Sequence, residues 1–425
     1  MTEYRWMKTD TASIMFSCLS SKTWGRTFRL AAVFKDIDID EKLLKKAAED
    51  IMPRFPSMHT RIRKGFFWNY QECTDALPEI RPEHSKVLMP ITMRDDNRPD
   101  FRIVYHKRRV AIECAHFLAD GKGATDYFSA LLARYYELYK DPDSKYNFTA
   151  PTAGELSNAY AEYYIKGGET PDPKEPEAYH IKADIEKGFL QLIFAMFTVD
   201  DIKKLSKEKG LSITEYLAAA LILGTLNHAK EPINEPIVIA VPVNLRRFFP
   251  SETARNFSVQ TKVFFYPEGR TDWSFDEICQ KVAGQVKSNT EPSELQKQLN
   301  KFGNLANNPV LKIVPNFIKQ PVIRSSQKKT HAGFTTILTN IGSADFDKEL
   351  SEKIERFEGI NGDTSGYGLV STCSVSSNNG LISMCFSVCS HDTSWPMECV
   401  RVLTSQGLNI RIESTHGNGG NADEM

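Results

Sequence analysis

The sequence predicts an α/β fold built on mixed (α+β) sheets and divided into two lobes. At 425 residues the chain is too long for one ordinary core. Short extended runs alternate with amphipathic helical runs on both sides of one breaker-rich segment. Apolar residues at 41% and charged residues at 25% are the balance of a globular chain, with enough apolar side chains to fill a sizeable interior.

Residues 40 to 55 set Leu43, Leu44, Ala47, Ala48, Ile51 and Met52 on one side of a helix that Pro53 ends. Extended segments follow around 102 to 106 and 109 to 116. In the second, Val110, Ile112, Cys114 and His116 share a face by period two, so His116 closes a strand. After Asp120-Gly121-Lys122-Gly123, a break that glycine's backbone freedom favours, Ala124, Tyr127, Phe128, Leu131, Leu132 and Tyr135 recur at helical spacing. Strand, polar turn, helix is an order that puts turn side chains at a strand end, where clefts are often built.

The run from Gly167 to Pro176 is rich in breakers and charge and reads as a linker. The predicted organisation is an N-terminal lobe at 1–165, a linker at 166–188, a C-terminal lobe at 189–413 and a flexible tail at 414–425. The second lobe opens with a charged helix near 199 to 209 and a buried helix near 213 to 228, then a strand at Ile237 to Val243. A strand near 258 to 265, a helix near 273 to 288, extended runs at 334 to 340, 367 to 376 and 381 to 389, and a final helix and strand complete it. No period of 20 to 50 residues repeats.

A formal net charge of -1, from 53 basic and 54 acidic residues, gives no global attraction to nucleic acid or to anionic lipid. The start, Met1 to Trp6, lacks the pattern of a signal peptide, and the longest apolar stretch, Leu217 to Leu223, is too short for a transmembrane segment, so the cytoplasm is the expected location. The eight cysteines are scattered without a CxxC pair and are expected to be reduced. Cys385 and Cys389 read as core residues, and no metal site is expected.

The segment His116-Phe117-Leu118-Ala119-Asp120-Gly121 carries the chemistry. An imidazole titrates near ~6.5, close to working pH, and can take a proton and return it. The competing reading is a common Asp-Gly turn beside a hydrogen-bonded histidine. A second segment follows more than a hundred residues later: Val241-Pro242-Val243-Asn244-Leu245-Arg246-Arg247-Phe248-Phe249-Pro250, then Arg255-Asn256-Phe257-Ser258. Arg54-Phe55-Pro56, Gly65 to Tyr70, Arg98 to Arg102 and Thr339-Asn340-Ile341-Gly342 occur in order around these two. Together they resemble, over most of the chain, the CoA-dependent acyltransferases related to chloramphenicol acetyltransferase, the alcohol O-acetyltransferases and the condensation domains of nonribosomal peptide synthetases.

The resemblance implies two chloramphenicol-acetyltransferase-like lobes with a channel at their interface and His116 at mid-channel as general base. It implies an acyl-CoA co-substrate, no permanently bound cofactor, and a small-molecule acceptor hydroxyl or amine. Asp120 and Gly121 complete the motif. Asp120 is expected to turn away from the imidazole and to form an interlobe salt bridge with Arg246, a structural role for which the adjacent Arg247 is the alternative partner. An oxyanion needs a donor aimed at it, and Asn244, Asn256, Ser258 and Asn340 are the candidates, each of which could equally serve a turn or strand end.

The basic run Lys312, Lys319, Arg324, Lys328 and Lys329 could meet coenzyme A phosphates but reads as a solvated loop. His331, His391 and Asp392 read as packing or surface, and no GxSxG or GxxxxGK[ST] occurs. Ala115 stands where condensation domains usually carry a second histidine, which disfavours peptide-bond formation. The alternatives are acyl delivery by an acyl carrier protein in place of coenzyme A, and a noncatalytic relative that binds an acylated ligand. A monomer is expected.

Overall fold

The computed structural model describes residues 6–19, 26–84, 86–91, 96–147, 149–172 and 176–415. The predicted tail from residue 416 onward, and the side chains of Lys328, Lys329 and His331, lie outside the described residues. In chain order the strands are β1 (Trp6–Met7), β2 (Thr27–Phe34), β3 (Thr60–Arg63), β4 (Tyr70–Cys73), β5 (Glu79–Pro82), β6 (Phe101–His106), β7 (Arg109–Ala115), β8 (Gln191–Thr198), β9 (Ile237–Asn244), β10 (Ser258–Phe265), β11 (Thr336–Ser343), β12 (Ile354–Ile360), β13 (Ser371–Asn378), β14 (Leu381–Val388) and β15 (Arg411–Ser414).

They form two large mixed sheets, β12-β2-β7-β6-β5 and β10-β9-β11-β13-β14-β8-β15, with a small sheet β1-β4-β3. The first is antiparallel except at β5–β6, and the second is parallel at β9–β11 and β11–β13. One strand crosses between the halves of the chain: β12 completes the N-terminal sheet, with Ile354 opposite Phe34 and Ile360 opposite Arg29. The N-terminal sheet is therefore not made from residues 1–165 alone. β12 also bonds to the second sheet, since the Gly359 amide donates to Ser376 Oγ at 3.0 Å and Ser376 Oγ donates to the Phe357 carbonyl at 2.8 Å. At Gly359 a Cβ would lie 1.9 Å from Ile341 Cδ1, so a larger residue would displace that methyl group.

The helix Glu41–Ile51 starts where Asp40 Oδ1 accepts from the amides of Lys42 and Leu43, and it buries Leu44, Ala47, Ala48 and Ile51, the stripe its periodicity predicts. It packs on the long helix Gly121–Lys140, which covers the N-terminal sheet. In the other half the helix Ile213–His228 is closed by a Ser212/Glu215 capping box and buries Leu217 through Ile222, the apolar stretch noted above. Among the described residues no single helix is long and apolar enough to cross a bilayer.

Two elements differ from expectation. The helix predicted over 273 to 288 is split into Phe275–Val282 and Gln285–Asn289, because Gly284 sits at φ +76° and breaks the ladder. The basic run read as a solvated loop is instead helical, in Pro309–Ile313 and Asn316–Ala332 after a third helix, Pro292–Asn307. Pro292 and Pro309 stand at helix starts, where a missing amide costs nothing, so prolines that look like breakers act as initiators. Lys319 is buried, its Nζ donating to the Leu311 carbonyl at 2.8 Å.

The N-terminal core holds a titratable group away from the site. His59 is buried between the rings of Phe101 and Tyr127, at centroid distances of 5.7 and 6.1 Å, and burial pushes its imidazole down to about 4. An unfolded histidine takes up its proton near ~6.5. Between those values the unfolded chain binds a proton that the folded chain does not, so stability falls with pH, by about 3 kcal/mol over that window. Urea midpoints measured from pH 7 to pH 4 should show this slope, and His59→Phe should flatten it.

Candidate active site

Strand β7 ends at Ala115, and the next residue, His116, is fixed by its main chain: its amide donates to the Arg26 carbonyl at 2.7 Å. Beyond Phe117 to Ala119, all buried, Asp120 is the N-cap of the helix Gly121–Lys140, Oδ1 accepting from the Gly123 amide at 3.0 Å. The predicted stripe Ala124, Tyr127, Phe128, Leu131, Leu132 and Tyr135 is buried without remainder, so the turn is clamped between a sheet and a packed helix. Of its two glycines, Gly121 has no heavy atom within 4 Å of an added Cβ, whereas at Gly123 a Cβ would lie 2.0 Å from the Ala254 carbonyl oxygen. Gly121 is thus the motif glycine without a steric requirement, and Gly123 is the one that lets the second-half loop approach. Gly123→Ala should lower stability by about 1–3 kcal/mol, as overpacking does, and lower activity with it, while Gly121→Ala should leave thermal unfolding within about 1 kcal/mol of the parent.

The loop that Gly123 admits carries Arg246. Its Nη1 donates to Asp120 Oδ2 at 2.8 Å and to Asn244 Oδ1 at 3.1 Å, and its Nη2 to Asp120 Oδ1 at 3.3 Å and to the Arg255 carbonyl at 2.5 Å. Nε donates to the Thr253 carbonyl at 2.8 Å, so every N–H of the guanidinium has an acceptor. Asp120 Oδ2 also accepts from the Phe257 amide at 2.8 Å. Burial works against ionisation of this carboxyl, but Arg246 and the amides of Gly123 and Phe257 outweigh it and hold it below the ordinary carboxylate range.

His116 is partly buried, its ring 4.6 Å from that of Phe16 and 5.2 Å from that of Phe28, centroid to centroid. Burial first, and then the Arg26 cation, lower its basicity; its own main chain, Asp120 and the nearby Asn256 side chain offset part of this, and the net direction is down. The ring is therefore neutral at pH 7, the form that can accept a proton. Arg26 is stacked over Phe16 and Tyr367, at 4.9 and 4.6 Å, and donates to the Tyr367 hydroxyl.

The candidate polar residues separate. Asn256 lies against His116, with Nδ2 3.3 Å from Ser13 Oγ, which in turn is 2.6 Å from Asp10 Oδ2. Asn244 caps the turn that carries Arg246, accepting from the Arg246 amide at 3.1 Å as well as from its side chain. Ser258 is pinned through its main chain by Tyr160, whose hydroxyl donates to its carbonyl at 2.5 Å and accepts from its amide at 3.0 Å. Asn340 is exposed on β11, bonded to Thr214 Oγ1 at 3.1 Å and to the Gly342 amide at 3.0 Å, and shares none of these contacts with His116. Asp10, Ser13, Phe16, Phe28, Arg26 and Tyr367 were not singled out by sequence. They come from three distant segments, and only a weak signal, Asp10 three residues before Ser13 at a helix start, marks any of them.

His391 is exposed, with Nε2 2.9 Å from Glu186 Oε2, and Asp392 caps the Ser394 amide. Among the described residues no group of three or more His, Cys, Asp or Glu side chains could hold a metal, and all eight cysteines are free.

The fold is shared with solved two-lobed acyltransferases and with a condensation-type domain. TRI101 of F. sporotrichioides, solved with coenzyme A and T-2, superposes with a TM-score of 0.64 at 10% identity, covering 96% of this chain and 99% of that one. The trichothecene 15-O-acetyltransferase TRI3 from Fusarium sporotrichioides gives 0.61 at 9% identity, covering 95% and 96%. The epimerization domain from the third module of tyrocidine synthetase B gives 0.57 at 11%, covering 90% of each. Residues 141–404, more than half of the chain, match the alcohol acetyltransferase family, and the chain belongs to that family of acyltransferases. The match begins after the HxxxDG segment, so His116 and Asp120 stand on geometry and on their own sequence pattern. No curated protein sequence matches the chain.

Proposed function

We infer that the protein transfers an acyl group from acyl-CoA to the hydroxyl or amine of a small acceptor, with His116 as general base. The observation that carries this is a neutral imidazole at the end of β7, held by main-chain and ring contacts and braced through Asp120 by an arginine of the other half of the chain. His116 takes the acceptor proton as the acceptor oxygen or nitrogen bonds to the thioester carbonyl carbon. The tetrahedral oxyanion needs a donor, and of the four candidates Asn256 is the one beside His116, its Nδ2 being the group that could donate although it also lies 3.3 Å from Ser13 Oγ. Collapse breaks the carbon–sulfur bond, and the proton passes from His116 to the departing thiolate.

Residues 1–165 supply the base and residues 189–413 the arginine, with 166–188 between them, and donor and acceptor reach His116 through a channel between the lobes. One chain holds both the base and the arginine, so a monomer can work; the proposed location is the cytoplasm and no resident cofactor is proposed. Purified protein incubated with acetyl-CoA, longer acyl-CoA thioesters or an acyl-loaded carrier protein, and a panel of alcohols and amines, should release free thiol and form acylated product with a CoA donor. Product from the carrier protein alone would replace the donor. No product with any donor would remove the transfer reading in favour of a noncatalytic binder of acylated ligands.

A further inference from the structure

From Leu295 through Ala344 the sequence contains no aspartate or glutamate, yet it carries Lys297, Lys301, Lys312, Lys319, Arg324, Lys328 and Lys329. In a chain whose 53 basic and 54 acidic residues nearly balance overall, this is a local cationic block. The helix Asn316–Ala332 within it has an inverted orientation. Its inward side chains include Asn316, Lys319 and Ile323, exposed by 5%, 1% and 7%, whereas Phe317, Ile318 and Val322 point outward at 70%, 53% and 65%. Phe317, Ile318 and Val322 lie within about 140° of one another around the helix axis at 100° per residue, so they form one stripe.

The orientation is locked by polar contacts on the inner face. The Asn316 amide donates to the Phe66 carbonyl at 2.7 Å, and Asn316 Nδ2 donates to Asn69 Oδ1 at 2.8 Å. Lys319 Nζ sits 3.1 Å from the centroid of the Trp68 ring. These bonds bring the loop from Gly65 to Trp68 against the helix start, where it adds the outward rings of Phe66 and Phe67 to the stripe. The short helix Pro309–Ile313 adds Val310 and Ile313, the latter 72% exposed, with Lys312 exposed between them and Lys64 exposed beside Phe66.

Rotating the helix to hide its apolar side would strip Asn316 and Lys319 of their partners, so the exposed stripe is built in and not a frayed end. Large apolar patches on a chain of this kind mark an interaction surface. Phe317, Ile313 and Phe66, each exposed by two-thirds or more, project and do not line a cleft, and such side chains suit a fluid apolar phase. Lys312 and Lys64, exposed among these apolar side chains, select an anionic phase. We propose that this face, formed by the helix Asn316–Ala332, the helix Pro309–Ile313 and the Phe66–Phe67 loop, seats the protein on an anionic membrane surface. It does not depend on the acyl-transfer reading.

The test is co-sedimentation of the full chain with sucrose-loaded vesicles of phosphatidylcholine alone and of phosphatidylcholine with one part in five phosphatidylserine. Binding is expected to the second, weaker to the first, and reduced by salt. A triple variant, Phe317→Ser with Ile318→Ser and Val322→Ser, and a separate pair, Phe66→Ser with Phe67→Ser, should each weaken binding by about tenfold or more, while Lys312→Glu should weaken it on anionic vesicles alone. Thermal unfolding by circular dichroism, unchanged in the outward-facing variants, checks that they fold. Failure to bind either vesicle, or equal binding by both sets of variants, overturns the proposal. So does a lipid-free dimer in light scattering that the triple variant dissolves, since the face would then be covered by a second copy, or saturable capture of an acidic carrier protein in preference to vesicles.

Discussion

Replacing His116 with alanine should reduce kcat/KM for acyl transfer by about 10²–10⁴-fold, the usual contribution of a positioned general base, with little loss of stability. The ring is partly buried and its main-chain bond to Arg26 survives the substitution, so circular dichroism and thermal unfolding should stay close to the parent. The pH profile gives a second readout. Burial and the Arg26 cation hold the basicity of His116 below that of a free imidazole, so the proton-accepting form persists to lower pH than usual. The acidic limb of kcat/KM should fall below pH 6.5, with a plateau through neutrality, and Arg26→Gln should move that limb upward because it removes a repelling charge. A limb that stays in place when Arg26 is neutralised, or persists in His116→Ala, would assign the base elsewhere.

The second large effect belongs to Asp120. Asp120→Ala removes the acceptor for the Gly123 and Phe257 amides and leaves the Arg246 guanidinium with carbonyl and amide oxygens but without its directly bonded carboxylate. Breaking a buried pair from one side typically costs 3–5 kcal/mol, and a loss of about that size is expected in urea unfolding. In a double-mutant cycle with Arg246→Met the losses should be less than additive. A charge swap, Asp120→Arg with Arg246→Asp, should not restore stability although the pair is direct, because no carboxylate would then cap the helix Gly121–Lys140. In the parent, the carboxyl of Asp120 is held below its ordinary range, so its stabilisation is present above the unfolded carboxyl value and is lost as pH falls through the folded one, beneath the window in which His59 acts.

Both arguments rest on elements whose sequence signal is local. The turn at 116–121 is legible because a period-two strand runs directly into a 3.6-period helix, and the helix Glu41–Ile51 is legible because its stripe and its Asp40 cap coincide. β12 is different. Its residues Ile354-Glu355-Arg356-Phe357-Glu358-Gly359-Ile360 alternate weakly, and its place is set by pairing with β2 more than three hundred residues earlier and by two hydrogen bonds to Ser376. The helices over 292–332 escaped the sequence reading because prolines at their starts resemble breakers and because the apolar stripe of the last one faces outward.

By itself the sequence determined the α/β class and the strand–turn–helix that carries His116, since periodicity and spacing are properties of neighbouring residues, while Asp120 and Arg246 became candidate partners only through the family resemblance. Only the tertiary structure decided which glycine of the turn is sterically needed, that Asn256 and not Asn340 lies against the imidazole, that Arg26, Phe16 and Phe28 surround it, and that Lys319 points inward while Phe317 points out. Each of these is settled by contacts between segments tens to hundreds of residues apart, and close packing admits one arrangement of such contacts where the local pattern admits several.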